Sequence, residues 1–259
     1  MKVDFVIGGT QKGGTSALDT FLRQHPQICM PADLKEVHFF DREEMFRGQK
    51  PDYEKYHAHF RCEPQHQVIG EASPIYMYWN AAPQRIWNYN PAMKWILILR
   101  NPIDRAYSAW NMERKRGADP LPFDQAVAKE AERCREALPL QHRVFSYIDR
   151  GFYSFQLRRL FDIFGRDNCL VLLNEDLQSE HDKTLQTVFA FLGIDQSVRP
   201  ATGRVFEHEY EMPLDPSLRA RLAETFSADI KQLERLLNRD LSHWYADQRR
   251  VPHDSGTAT

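Results

Sequence analysis

Short apolar runs that break off at glycine, arginine or proline recur along the chain, each beside a stretch of helical spacing. Val3–Ile7 ends in Gly8-Gly9, and Thr15–Leu22 follows with helical spacing, which predicts a strand, a glycine-rich turn and a helix. Trp95–Leu99 is apolar throughout, as suits a parallel strand covered on both faces, and stops at Arg100-Asn101-Pro102. Pro102 fits the first turn of the helix that continues through Arg105, Tyr107 and Trp110. Cys169–Leu173 is a third strand candidate. It lies between a helix carrying Tyr153, Leu157, Leu160, Phe161 and Phe164 and another through Leu185, Val188, Phe189 and Leu192. Strands alternating with helices predict an α/β fold, a central parallel sheet flanked by helices with right-handed crossovers. Leu218, Leu222, Phe226, Ile230, Leu233 and Leu237 mark one long amphipathic helix. Asp41–Gln67 and Arg114–Pro122 pattern poorly and read as surface connections with room for binding loops.

The 259 residues suit a single domain over residues 1–251, with a Ser-, Gly- and Thr-containing tail at 252–259 that is expected to fray. With 42% hydrophobic and 27% charged residues the chain has ordinary globular material. A formal net charge of -2 gives no polyanion-binding surface, so no nucleic-acid partner is expected and any anion site must be local. Cys29, Cys62, Cys134 and Cys169 are scattered, without C-x-x-C or zinc-finger spacing, and read as reduced thiols. The chain starts directly into its first apolar run, and no run reaches membrane-spanning length, so a soluble, cytoplasmic protein is expected. Oligomeric state is left open.

The candidate chemistry begins at Gly8-Gly9-Thr10-Gln11-Lys12-Gly13-Gly14-Thr15-Ser16. Between a strand and a helix, successive backbone N–H groups and the positive helix end can surround a phosphate, a P-loop arrangement. A Walker A loop reads G-x-x-x-x-G-K-[ST]; counted from Gly8, Gly13 fits but Gly14 stands where the lysine belongs, and the lysine has moved back to Lys12. A kinase or ATPase of this architecture also needs an acidic residue near a strand end to hold Mg²⁺. Here the second strand ends in Arg100, whose guanidinium opposes a metal but can fork onto a phosphate, and Ser108 two turns on can add a hydroxyl. The pattern predicts a phosphate read without metal.

Thr10–Ser16, Lys35-Glu36-Val37-His38-Phe39-Phe40-Asp41 and Leu99-Arg100-Asn101-Pro102-Ile103-Asp104-Arg105-Ala106-Tyr107-Ser108 together resemble sulfotransferases of the heparan sulfate type that use 3′-phosphoadenosine 5′-phosphosulfate (PAPS), in a soluble bacterial-type form. Gly151-Phe152-Tyr153, Gln156-Leu157 and Glu175-Asp176-Leu177 extend the resemblance over roughly residues 3 to 194. The resemblance implies a P-loop nucleotide fold in which Gln11, Lys12, Gly13, Gly14, Thr15 and Ser16 bind the 5′-phosphosulfate, and Arg100 and Ser108 the 3′-phosphate. Arg204, in Thr202-Gly203-Arg204, is a further candidate for the 3′-phosphate where relatives carry a late Arg-Lys-Gly stretch, and Phe206 for stacking on adenine.

Sulfuryl transfer by in-line displacement builds charge on the leaving phosphate oxygen, a role for Lys12, and requires a base for the acceptor proton. By family position the base is Glu36. His38 is its rival, because an imidazole titrates near neutrality, and in an extended segment positions 36 and 38 share a face. Lys35 reads as a solvated charge, Phe39 and Phe40 as core aromatics. Relatives commonly carry Glu-Lys-[Ser/Thr]-Pro where this chain has Glu71-Ala72-Ser73-Pro74, so a lysine near the reacting groups is absent. Glu71 reads as facing the acceptor or as a cap. The expected acceptor is a hydroxyl or amine of a glycan, glycolipid or small natural product. The alternatives are an atypical P-loop small-molecule kinase or nucleotidase, and a non-catalytic nucleotide-binding module.

Overall fold

The computed structural model describes residues 2–48, 50–202 and 213–245. Five strands, β1 (Phe5–Gly9), β2 (Ile28–Cys29), β3 (Val68–Ala72), β4 (Lys94–Leu99) and β5 (Cys169–Leu173), pair in parallel in the order β2-β3-β1-β4-β5. The helices are α1 (Thr15–Leu22), α2 (Tyr53–His57), α3 (Ala82–Tyr89), α4 (Pro102–Lys115), α5 (Phe123–Glu136), α6 (Tyr153–Phe164), α7 (Asn174–Ser179), α8 (His181–Leu192) and α9 (Pro216–Leu237). This is the expected α/β architecture. Among the described residues no helix is long and apolar enough to cross a membrane.

The unbroken apolar run of β4 reflects two cores. Trp95, Leu97 and Leu99 belong to the layer containing Leu160, Phe164 and Phe226, whereas Ile96 and Ile98 belong to the layer containing Leu18, Leu22, Val188 and Phe189. Burial of each such side chain contributes about 1.5–3 kcal/mol, and a one-residue slip would exchange the two layers, so the register is firmly set. Strands β2 and β3 escape prediction because the first has two residues and the second interrupts its apolar character with Gly70 and Glu71.

Topology places the site. From β1 the chain reaches β2 at one edge, returns through β3 beside β1, and then crosses to β4 on the other side of β1. The connections leaving β1 and β4 therefore diverge, and open parallel sheets bind ligands in the crevice at such a switch point. Gln11–Ser16 leaves one strand there and Arg100 leaves the other. Asn101 fixes the second exit by capping α4, its side chain accepting from the Ile103 N–H at 3.0 Å, with Pro102 opening the helix.

The cysteines depart from expectation. Cys29 and Cys62 form a disulfide with Cα atoms 5.5 Å apart, while Cys134 and Cys169 are free. Linear scatter hides the pair: Cys29 lies on β2, and the chain comes back past that strand after α2.

Candidate active site

The turn between β1 and α1 is shaped to present backbone N–H groups. Gly14 takes φ 114°, and a side chain on Gly13 would fall on the Ile98 carbonyl oxygen, so the loop can lie against β4 only with glycine there. The Thr10 N–H is held by the Ile98 carbonyl at 3.1 Å and the Gly13 N–H by the Thr10 carbonyl at 2.9 Å. The amides of Gln11, Lys12 and Gly14 have no acceptor among the described residues, and α1 begins at Thr15 without a side-chain cap. Loop amides and helix start together are arranged so that they can receive an anion.

Lys12 sits in this turn at φ 68°. Burial, then the nearby positive charges of Arg100, Lys35 and Arg116, push its ammonium below the usual lysine range. No carboxylate pairs with Lys12 or Arg100 among the described residues. Arg100 is half-buried at the end of β4, its carbonyl accepting from Tyr153 Oη at 2.9 Å, and Ser108 is buried in α4. Arg204 and Phe206 lie outside the described residues. Gln11 is anchored from behind. The buried Arg150 guanidinium donates to Gln11 Oε1, while its Nε donates to Ser146 Oγ at 2.8 Å and its plane covers the Tyr78 ring at 4.8 Å.

A second cluster faces the first. His38 Nε2 lies 3.0 Å from Glu36 Oε2, and its Nδ1 lies 3.1 and 3.3 Å from the two oxygens of the fully buried Asp41. Arg143 donates from Nη1 to Asp41 Oδ2 at 2.6 Å and from Nη2 to the Asp41 carbonyl. The bonds to Asp41 and to Glu36 outweigh burial and raise His38 to about 9. Burial alone would raise both carboxyls, but the His38 bond, together with Lys35 at Glu36 and Arg143 at Asp41, holds each below its usual range. At neutral pH this is an imidazolium between two carboxylates. Lys35 bridges the clusters, its ammonium donating to Ser16 Oγ and lying 3.5 Å from Glu36 Oε1.

The segment carrying these groups is not extended. His38 adopts φ 54°, a left-handed conformation that costs an L-residue about 1–2 kcal/mol. Glu36 and His38 meet through this kink. Phe39 and Phe40 are buried core residues, as expected. Lys35 is exposed, as expected of a solvated charge, and in addition touches Ser16 and Glu36. Asp41 and Arg143 were not anticipated: Asp41 was visible as an acid three residues after His38, whereas Arg143 is 102 positions from its partner and left no local signal. Glu71 caps nothing among the described residues; it is fully buried near the end of β3, so it cannot itself touch an acceptor in solvent. The one group of three metal-type donors among the described residues, Cys29, Cys62 and His66, includes none of these residues, and two of its members are joined as the disulfide.

The sulfotransferase domain family matches residues 2–211. A sulfotransferase from Alicyclobacillus acidocaldarius superposes with a TM-score of 0.83 at 32% identity, covering 95% of this chain and 100% of that one. Human bifunctional heparan sulfate N-deacetylase/N-sulfotransferase 2 is 28% identical over 204 residues, 73% of this chain and 22% of the relative. The mouse N-deacetylase/N-sulfotransferase 1 is 30% identical over 203 residues, 74% of this chain and 22% of the relative. The chain thus spans about a fifth of the length of these curated relatives. A family match across most of the chain, on a fold whose phosphate loop and Arg-ended strand converge at the switch point, means that this chain belongs to the sulfotransferase family.

Proposed function

We propose that the chain moves the sulfuryl group of PAPS to a hydroxyl or amine of a glycan, glycolipid or small natural product. The observation that carries this reading is the division of charge: Lys12 and Arg100 without carboxylate partners among the described residues on one side, a carboxylate–imidazolium cluster on the other. The loop amides and Lys12 take the 5′-phosphosulfate, with Gln11, Gly13, Gly14, Thr15 and Ser16 as its cradle, and Arg100 and Ser108 take the 3′-phosphate. The acceptor lone pair attacks sulfur, the bond from sulfur to the bridging oxygen breaks, and 3′-phosphoadenosine 5′-phosphate leaves with the electron pair. Lys12 neutralises that oxygen where charge develops. Glu36 takes the acceptor proton. Both ring nitrogens of His38 already face carboxylates, which leaves no lone pair for a proton and makes it the group that orients Glu36.

The heparan sulfate relatives support an amine on a sugar as one acceptor class. Ala72 stands where relatives place lysine and is buried in the layer with Phe5 and Ile7, so no cation reaches the acceptor from that position. A kinase reading lacks a metal-holding acid at the end of β4, where Arg100 stands.

Radiolabelled PAPS and a panel of acceptors test the proposal. Labelled product is expected with EDTA present; failure of both transfer and 3′-phosphoadenosine 5′-phosphate binding would sink it, as would Mg²⁺-dependent ATP turnover. In the same assay Arg100→Ala should weaken binding of 3′-phosphorylated nucleotide by roughly 10- to 100-fold, the scale of a hydrogen bond to a charged group. Adenosine 5′-phosphosulfate, which lacks the 3′-phosphate, should bind unchanged, and equal losses for both would remove the assignment of Arg100.

A further inference from the structure

Glu71 is the buried acid for which the proposed chemistry has no use. It is fully buried with no cation beside it among the described residues, an expensive placement for a carboxyl group unless its bonds serve a purpose. Its Oε1 accepts from Tyr56 Oη at 2.8 Å and from Tyr76 Oη at 3.0 Å, and its Oε2 accepts from Ser73 Oγ at 2.7 Å. Each hydroxyl has one hydrogen, and each commits it to Glu71, which turns its lone pairs outward as acceptors. Ser73 Oγ then accepts the His38 N–H at 3.1 Å, and Tyr76 Oη accepts the N–H groups of Phe39 at 3.0 Å and Phe40 at 3.4 Å. Three consecutive amides are thereby fixed by one carboxylate, one hydroxyl away.

Those amides belong to the kink at His38. Among the described residues none of the three has a backbone acceptor, so no ladder or helix holds this stretch. The two hydroxyl relays hold the amides of the left-handed residue and its two successors, and so help set the angle at which the imidazole meets Glu36. We propose that Glu71 is a positioning residue for the acceptor side of the site, setting the turn that carries Glu36 and His38 through Ser73 Oγ and Tyr76 Oη. The proposal rests on the reading of Glu36 as the proton acceptor. Fully buried, Glu71 acts through other groups rather than on the acceptor itself.

Ser73→Ala is the mild probe, because it removes the relay to His38 and a single hydroxyl. Tyr76→Phe removes the other relay, and Glu71→Gln keeps the shape but turns a donor toward a hydroxyl that must itself donate. Ser73→Ala and Tyr76→Phe are each expected to lower kcat for sulfuryl transfer by about 10- to 100-fold, the scale of a small misplacement of reacting groups, with the affinity for 3′-phosphoadenosine 5′-phosphate unchanged. In a Glu36→Gln background the same substitutions should cost little further, because a misplaced base that is already gone cannot be lost twice. A purely structural role would instead lower thermal stability and multiply with Glu36→Gln. Full turnover in Ser73→Ala and Tyr76→Phe, or losses that multiply undiminished in the Glu36→Gln background, overturns the proposal. Loss in Ser73→Ala with full activity in Glu36→Gln removes the base assignment and leaves Glu71 acting through His38. Because the two single hydroxyl deletions decide the matter, a Glu71→Gln protein that fails to fold does not block the test.

Discussion

Turnover of Lys12→Ala is expected to fall by about 100- to 1,000-fold, the range seen when one preorganised charge-stabilising donor is removed. Affinity for 3′-phosphoadenosine 5′-phosphate should change little. The asymmetry follows from the surroundings of the ammonium. Burial, Arg100, Lys35 and Arg116 all disfavour its charge in the free protein, and a fully anionic bridging oxygen relieves that crowding more than a neutral ester oxygen does. The interaction therefore grows along the reaction coordinate and appears in kcat rather than in ground-state binding. Under the proposed binding mode several loop amides would still hold the phosphate without the lysine. Single-turnover rates beside equilibrium nucleotide binding check the split; a parallel loss in both would reduce Lys12 to an anchoring charge.

Glu36→Gln is expected to lower kcat by about 100- to 10,000-fold, the usual contribution of a placed general base, again with nucleotide affinity intact. The wild-type pH profile carries the complementary signature. Glu36 is held below the ordinary glutamate range, so the base is already ionised above that range and the rate should be flat through pH 6.5, where a free histidine would titrate. His38, raised to about 9, loses its charge only in that alkaline region, and the rate should decline there as the orienting ion pairs dissolve. The sign for stability agrees. A folded-state value above the unfolded one means that the contribution of the cluster is complete below pH 6.5 and is lost as pH rises through about 9. Were His38 the base, the rate would climb through pH 9 instead.

The parts of the site that could be read along the chain are those where one local rule decides. Trp95–Leu99 announced a strand covered on both faces, and the strand does end where Arg100 begins the next connection. The extent of α1, Thr15–Leu22, matches its reading. What stayed hidden depends on distant approach. Arg143 reaches Asp41 from a connection between α5 and α6, and Arg150 reaches Gln11 across 139 positions. Glu71 read equally as facing the acceptor or as a cap; only the convergence of Tyr56, Ser73 and Tyr76 shows it to be an interior hub. The kink at His38 also had no local herald, since positive φ is uncommon for any residue but glycine and its supports, Ser73 and Tyr76, lie more than thirty positions away.

The bridge from Cys29 to Cys62 ties off one stretch of chain, and the reacting groups fall unequally on either side of the knot. Glu36, His38 and Asp41 lie inside the tether, whereas Lys12, Arg100 and Ser108 lie outside it. A crosslink spanning 33 residues removes about 3–4 kcal/mol of chain freedom from the unfolded ensemble in the entropic account. Its Cys62 end is exposed and its Cys29 end buried, so a soluble dithiol can attack the outer sulfur and release the inner thiolate. Cutting the tether loosens the half proposed to accept the proton and leaves the half proposed to grip the nucleotide as it was. As dithiothreitol is added, sulfuryl transfer should therefore slow before nucleotide affinity changes.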